Sequence, residues 1–197
     1  MTDLLWIIPV SYLLGSLPFG YLVGRLRGVD ITAHGSGNIG ATNALRTLGP
    51  VPALIVLAGD MGKGVLAVWL GQAFGPPAAP LLAALAVLAG HGWSIFLGFR
   101  GGKMIATSLG VLLMLSPQVT AGAAAVWAIV VALTRYVSLG SILAAVAVPV
   151  LFAALGFPPG YIVFAGVIAA TVIYKHRSNI ARLRAGTESR LGRRSKK

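Results

Sequence analysis

The stretch from Tyr136 to Tyr174 reads YVSLGSILAAVAVPVLFAALGFPPGYIVFAGVIAATVIY, 39 residues without one charged side chain. A helix needs about 20 residues to cross the roughly 30 Å of bilayer hydrocarbon, so this run holds about two spans. At its middle lies Gly156-Phe157-Pro158-Pro159-Gly160, turn chemistry that stops a helix because proline lacks the N–H donor and glycine loosens the backbone. The run therefore reads as a helical hairpin in lipid. Outward from it, Leu4 to Gly24 is 21 uncharged residues, Gly64 to Phe99 is 36 and Met104 to Thr134 is 31. The first is one span. Gly75-Pro76-Pro77 divides the second, and Ser116-Pro117 divides the third. This spacing predicts an all-α polytopic membrane protein with seven transmembrane helices at 4–24, 51–74, 79–97, 104–116, 118–134, 137–155 and 159–174, with allowance for two of them being short.

Composition agrees. Of 197 residues 57% are hydrophobic and only 10% are charged, against roughly a quarter charged in a globular domain. Sixteen Lys or Arg against four Asp or Glu give a net charge of +12, and the cations sit in short clusters between apolar runs. That distribution excludes an ordinary soluble fold, a disordered chain and a nucleic-acid module with a basic face. No cysteine is present, which removes disulfides, thiolate metal sites and thioester intermediates.

The cations also sort by side. Arg25, Arg27 and Arg46 follow helix one, Arg100 and Lys103 follow helix three, Arg135 follows helix five, and Lys175 and Arg177 follow helix seven. All fall on one face, which the positive-inside rule makes cytoplasmic, with the N-terminus outside. The first run reads as an N-out anchor rather than a cleaved signal, since nothing basic precedes it. The chain is read as one integral membrane domain, 1–197, ending in a basic cytoplasmic tail, 175–197. Its Arg190, Arg193, Arg194, Lys196 and Lys197 suit anionic lipid headgroups. Within helix two, Asp60 and Lys63 are three apart on one helical face and are expected to form a structural ion pair.

Three polar segments on the basic face carry the chemistry. The first, Asp30 to Arg46, is dense in glycine, hydroxyls and amides, a backbone able to turn N–H groups toward an anion. Gly35, Gly37 and Gly40 spell GxGxxG, but no strand precedes them, so a dinucleotide fold is rejected. Arg46 adds a fork-shaped phosphate donor. The second, Gly98 to Thr107, sets Gly101, Gly102 and Lys103 immediately before a helix N-terminus, where amides, helix dipole and ammonium converge. The third begins at Lys175: His176 and Asn179 share a face if the helix continues, an imidazole beside an amide able to orient a hydroxyl. The only acidic residues are Asp3, Asp30, Asp60 and Glu188, and no two are spaced like the carboxylate cluster of a magnesium-dependent phosphotransferase. No metal site is expected.

With these segments in place, the chain resembles the bacterial acyl-phosphate:glycerol-3-phosphate acyltransferase family, PlsY. The resemblance runs from Gly15-Ser-Leu-Pro-Phe-Gly onward. It rests on Gly35 to Arg46, on Gly90-His91 with Gly101-Gly-Lys-Met-Ile-Ala-Thr107, and on His176-Arg-Ser-Asn-Ile-Ala-Arg182 through Gly186 and Glu188. Asp60-Met-Gly-Lys63-Gly also resembles the family's Asp-x-x-Lys-Gly. Two positions depart from its usual pattern, Ile39 where proline is common and Met104 where glycine is.

The resemblance implies transfer of a fatty acyl group from acyl phosphate to the 1-hydroxyl of glycerol-3-phosphate, without cofactor or metal. It implies glycerol-3-phosphate at Arg46, Lys103, His176 and Asn179, and acyl phosphate at Ser36, Gly37 and Asn38. Gly35, Gly40, Gly101 and Gly102 would shape the phosphate loops, and Glu188 would be structural. His176 and Asn179 are the catalytic candidates; the base is either His176 or a substrate phosphate oxygen. The expected setting is a functional monomer among the lipids of the bacterial inner membrane. The alternative from the residues alone is a phosphate-ester transporter, since glycine loops among broken helices also serve carriers.

Overall fold

The computed structural model describes residues 2–192, with side chains from Leu4. The tail cations Arg193, Arg194, Lys196 and Lys197 lie outside the described residues, as does the side chain of Asp3. Among the described residues there are ten α-helices and no strand. Four apolar segments are long enough to cross a membrane, Leu4–Leu26, Pro50–Phe74, Pro117–Thr134 and Val137–Ala154; Ala79–Gly92, Ile105–Leu115 and Pro159–Lys175 are shorter apolar helices. Leu133, Val150 and Val163 are exposed, as apolar faces of a lipid-solvated protein should be.

The chain divides into two compact units, the first ending at Ser116 and the second beginning at Pro117. The first holds α1 (Thr2–Ser16), α2 (Phe19–Leu26), α3 (Ala41–Thr47), α4 (Pro50–Phe74), α5 (Ala79–Gly92) and α6 (Ile105–Leu115). Here α1 packs on α5 and α4 packs on both α5 and α6. The α4–α6 approach is close enough that a Cβ on Gly64 would collide with the Thr107 carbonyl, and one on Gly110 with that of Met61.

Two expected boundaries are corrected. The first span is not one helix over 4–24: it breaks at Leu17-Pro18 into α1 and α2. Pro18 has no N–H to continue the ladder and its ring opposes the preceding turn, while the apolar run around it conceals the break. Helix three does not reach residue 97. It stops at Gly92, and Trp93 to Arg100 forms a tight turn in which Ser94 N–H donates to the Arg100 carbonyl at 3.2 Å and Phe99 N–H to that of Ser94 at 2.8 Å. Uncharged apolar residues fill this turn, so hydropathy cannot separate it from the helix. Side chains tie it down: Ser94 Oγ donates to the Ser16 carbonyl at 2.6 Å and the Tyr12 hydroxyl to that of Trp93 at 2.8 Å.

The second unit holds α7 (Pro117–Thr134), α8 (Val137–Ala154), α9 (Pro159–Lys175) and α10 (Arg177–Arg184). The hairpin read from the opening stretch is present: α8 packs on α9. Its turn is closed by Phe152, Phe157 and Tyr161, whose ring centroids lie 4.9 to 5.5 Å apart, the tilted geometry aromatic rings prefer. Beyond α10 the chain folds back, Leu191 N–H donating to the Arg135 carbonyl at 2.7 Å.

Candidate active site

The first polar segment folds around its own side chains. Asp30 Oδ1 accepts from the Thr32 hydroxyl at 2.6 Å and the Thr32 N–H at 3.0 Å, bonds that hold its carboxyl below the usual range. Gly35 and Gly37 take φ of +61° and +68°, the left-handed region that costs other residues about 1–2 kcal/mol. Buried Asn43 organises the centre: its Oδ1 accepts from Ser36 N–H at 2.9 Å, and its Nδ2 donates to the carbonyls of Ile31 and His34 at 3.2 and 3.0 Å. Beneath lie Val23, Ile31, Ile39, Ala44, Ala53 and Val56. Ile39, one departure from the family pattern, is therefore an apolar anchor for the loop.

These bonds revise the expected anion nest. The N–H groups of Ser36, Gly37 and Gly40 are already donated, to Asn43 Oδ1, the His34 carbonyl and Asn38 Oδ1 respectively. What the exposed Ser36 offers a ligand is its hydroxyl. Arg46 stands exposed in the last turn of α3.

The second segment runs straight into a helix. Gly101 to Lys103 leads into Met104, the N-cap of α6 at φ +68°, with no side chain capping the first turn. The first amides of α6 therefore lack an intrahelical acceptor, and half-buried Lys103 immediately precedes the cap. Met104 shows why glycine is usual there, since its φ is left-handed. Its side chain is 1% exposed, so it packs inward and does not crowd the loop.

Behind this loop lies a buried ionic group. Lys63 Nζ is 2.9 Å from Asp60 Oδ1, both side chains being 2% exposed, and also donates to the Leu17 carbonyl at 2.9 Å. His91 Nδ1 is 3.4 Å from the same Asp60 oxygen. A Cβ on Gly102 would collide with His91 Nε2.

In the second unit, His176 joins α9 to α10 and is buried. Its Nδ1 donates to the Val172 carbonyl at 2.8 Å, so in the neutral ring Nε2 is the acceptor nitrogen. Asn179 is buried one turn on. Its Nδ2 donates to Glu188 Oε1 at 2.6 Å, which turns Oδ1 the other way as an acceptor. Glu188 Oε1 also accepts from Ser138 Oγ at 2.7 Å, and Oε2 from Arg182 Nε at 2.7 Å. Desolvation opposes the Glu188 charge, but these bonds from Ser138, Asn179 and Arg182 outweigh it and hold the carboxyl below its ordinary range.

Each unit thus brings its own predicted residues together: Ser36 to Arg46 on one loop and helix, Gly101 to Lys103 on another, and His176, Asn179 and Glu188 on a third. Sequence reasoning missed Asn43, which no spacing separates from Asn38, and Ser138, 50 residues from the carboxylate it binds.

This is a polytopic helical membrane protein with glycine-rich loops and a helix N-terminus that no side chain caps. The family model described as glycerol-3-phosphate acyltransferase matches residues 5–186. A glycerol-3-phosphate acyltransferase of Desulforudis audaxviator is 57% identical over 185 residues, 93% of each chain, and glycerol-3-phosphate acyltransferase 2 of Moorella thermoacetica is 53% identical over 194 residues, 97% of this chain and 100% of that one. Crystal structures of PlsY, an integral membrane glycerol 3-phosphate acyltransferase, superpose with TM-scores of 0.92 in the glycerol 3-phosphate form and 0.89 in the lysophosphatidic acid form. Both are 39% identical and cover 96% of this chain, and it covers 96% and 95% of theirs. The chain belongs to the glycerol-3-phosphate acyltransferase family of PlsY membrane proteins.

Proposed function

We propose that the protein transfers a fatty acyl group from acyl phosphate to the 1-hydroxyl of glycerol-3-phosphate, giving lysophosphatidic acid and inorganic phosphate. The observation that carries this reading is the uncapped N-terminus of α6 behind Gly101, Gly102 and Lys103, a prebuilt phosphate site in a chain whose relatives are named for a phosphate ester. The solved relatives in glycerol 3-phosphate and lysophosphatidic acid forms support the same acceptor and product here.

Acyl phosphate is an activated mixed anhydride, so positioning and charge stabilisation suffice. The glycerol hydroxyl oxygen attacks the acyl carbonyl carbon, the bond from that carbon to the phosphate oxygen breaks, and phosphate leaves with the electron pair. The hydroxyl proton goes to His176 or to a phosphate oxygen. With Nδ1 donating to Val172, Nε2 is the nitrogen of His176 that takes it. Glycerol-3-phosphate is assigned to Arg46, Lys103, His176 and Asn179. Acyl phosphate is assigned to the Ser36 hydroxyl with Gly37 and Asn38, and Gly35, Gly40, Gly101 and Gly102 shape the loops. No cofactor is required by this chemistry.

We assign all seven apolar segments as spans, α1 with α2 counting as one, with the N-terminus outside and the C-terminus cytoplasmic. The cations after α2, in the 93–104 turn, at Arg135 and after α9 support this. The active residues then face the cytoplasm of a bacterial inner membrane, and the protein acts as a monomer among its lipids.

Purified protein in detergent, given palmitoyl phosphate and glycerol-3-phosphate with a chelator present, is expected to release phosphate and form lysophosphatidic acid. Absence of turnover, with uptake of glycerol-3-phosphate into proteoliposomes, would replace this reading by transport.

A further inference from the structure

We infer that His91 is a positioning residue: it links the buried Asp60–Lys63 pair to the glycine loop that carries Lys103, and so sets the aim of the phosphate site. His91 ends α5 and is buried. It faces two ways. Nδ1 approaches Asp60 Oδ1 at 3.4 Å, on the oxygen that Lys63 Nζ meets at 2.9 Å. Its ring edge and its carbonyl both meet the loop: the carbonyl accepts the Gly102 N–H at 3.0 Å, and side chains at 101 or 102 would strike that carbonyl or Nε2.

The consequence is mechanical. Lys63 is fixed at its other side by the Leu17 carbonyl, so Asp60 is held by a cation that cannot drift, and Asp60 in turn holds the imidazole plane. Gly102 lies close against Nε2 with its N–H on the His91 carbonyl, and Lys103 and the first turn of α6 follow directly in the chain. At 3.4 Å the approach of Nδ1 to Asp60 is an electrostatic contact rather than a directional hydrogen bond, and in a low-dielectric interior such a contact still draws the ring toward the carboxylate. A merely space-filling residue would need neither the ionic anchor nor a bare Cα opposite its Nε2. The inference rests on Lys103 being a phosphate ligand.

The test compares His91→Leu, which keeps bulk without a donor, with His91→Asn, whose amide can replace Nδ1–H toward Asp60. His91→Leu is expected to raise the KM for glycerol-3-phosphate about tenfold or more, because a binding group displaced by a fraction of an ångström loses its aim. The KM for palmitoyl phosphate should stay within about twofold, and His91→Asn should recover most of the loss. A wild-type KM in folded His91→Leu, or equal damage in both variants, overturns the inference. If His91→Leu does not fold, Gly102→Ala decides. Its methyl meets Nε2, so its raised KM should fall when His91→Asn is added; unchanged or additive damage overturns the inference. Failure of the wild-type protein to turn over these substrates instead overturns the proposed reaction itself.

Discussion

Lys63 Nζ donates to the carbonyl of Leu17 at 2.9 Å, from α4 to the break between α1 and α2. Pro18 creates the break, and a carbonyl left without a helical partner at membrane depth costs several kcal/mol. The carbonyl takes the Phe19 N–H at 3.2 Å within the turn, the lysine on the neighbouring helix supplies the shorter second bond, and Asp60 at 2.9 Å neutralises the lysine. The ion pair thereby stabilises a helix interruption that apolar side chains alone would leave exposed.

Removing one member of the pair should cost stability first. Lys63→Met is expected to lose about 3–5 kcal/mol by leaving buried Asp60 undercompensated, seen as a lower detergent melting temperature and yield. The double variant Asp60→Leu with Lys63→Met should lose less than either single change predicts, because the uncompensated charge is gone. At saturating substrates the turnover of folded Lys63→Met should survive, while its KM for glycerol-3-phosphate rises as in His91→Leu, because Asp60 no longer steadies the imidazole. A fully folded but inactive Lys63→Met would move the pair from structure to chemistry.

Arg46→Ala and Lys103→Ala should each raise the KM for glycerol-3-phosphate by the loss of one charge-assisted contact, roughly 1.5–3 kcal/mol or about 10- to 150-fold. Steady-state kinetics at saturating palmitoyl phosphate measure this. Normal constants in both would remove them from the phosphate site. Lys103→Arg should not restore it fully, since the planar fork differs from a compact ammonium.

His176→Ala separates the two routes for the proton. If Nε2 is the base, kcat should fall about 10²- to 10⁴-fold with a smaller change in KM. If a phosphate oxygen takes the proton, kcat should fall less than about tenfold, the remainder being orientation. His176→Gln cannot reproduce the Nδ1–H bond to Val172 and at the same time accept a proton, so it should not rescue the first case.

Much of this is legible in the sequence. The Phe157-Pro158-Pro159 turn and the long uncharged runs announce helices in lipid, because solvation of backbone and side chains leaves few alternatives there. The loops of candidate residues were legible as composition, glycine and cations on the basic face. What escaped was anything decided by side-chain partners distant in sequence. Leu17-Pro18 looked like part of a span, because the lysine that makes its break tolerable is 46 residues away. Ser36 and Gly37 looked like an open nest, because Asn43 and the His34 carbonyl had no visible claim on their amides. Met104 stands in the sequence only as a departure from the family's glycine, because periodicity does not show that its backbone is left-handed and its side chain buried.

Glu188 gives the pH-dependent test. Its carboxylate collects Ser138, Asn179 and Arg182, and its folded state titrates below the unfolded value of about 4.3. The resulting stabilisation is therefore fully present above that pH and disappears as pH falls through the folded value. At pH 7, Glu188→Gln should lower stability by roughly 1.5–3 kcal/mol, since a neutral amide weakens the Arg182 bond and turns a donor toward Ser138 or Asn179. Melting curves of the two proteins should converge as the pH falls through the lowered folded-state value. The variant should also lose turnover, because the Asn179 amide is no longer oriented by a carboxylate. A gap in melting temperature that stays constant from neutral pH to the acid limit of folding would mean that the charge on Glu188 contributes nothing, and that its side chain is held by shape alone.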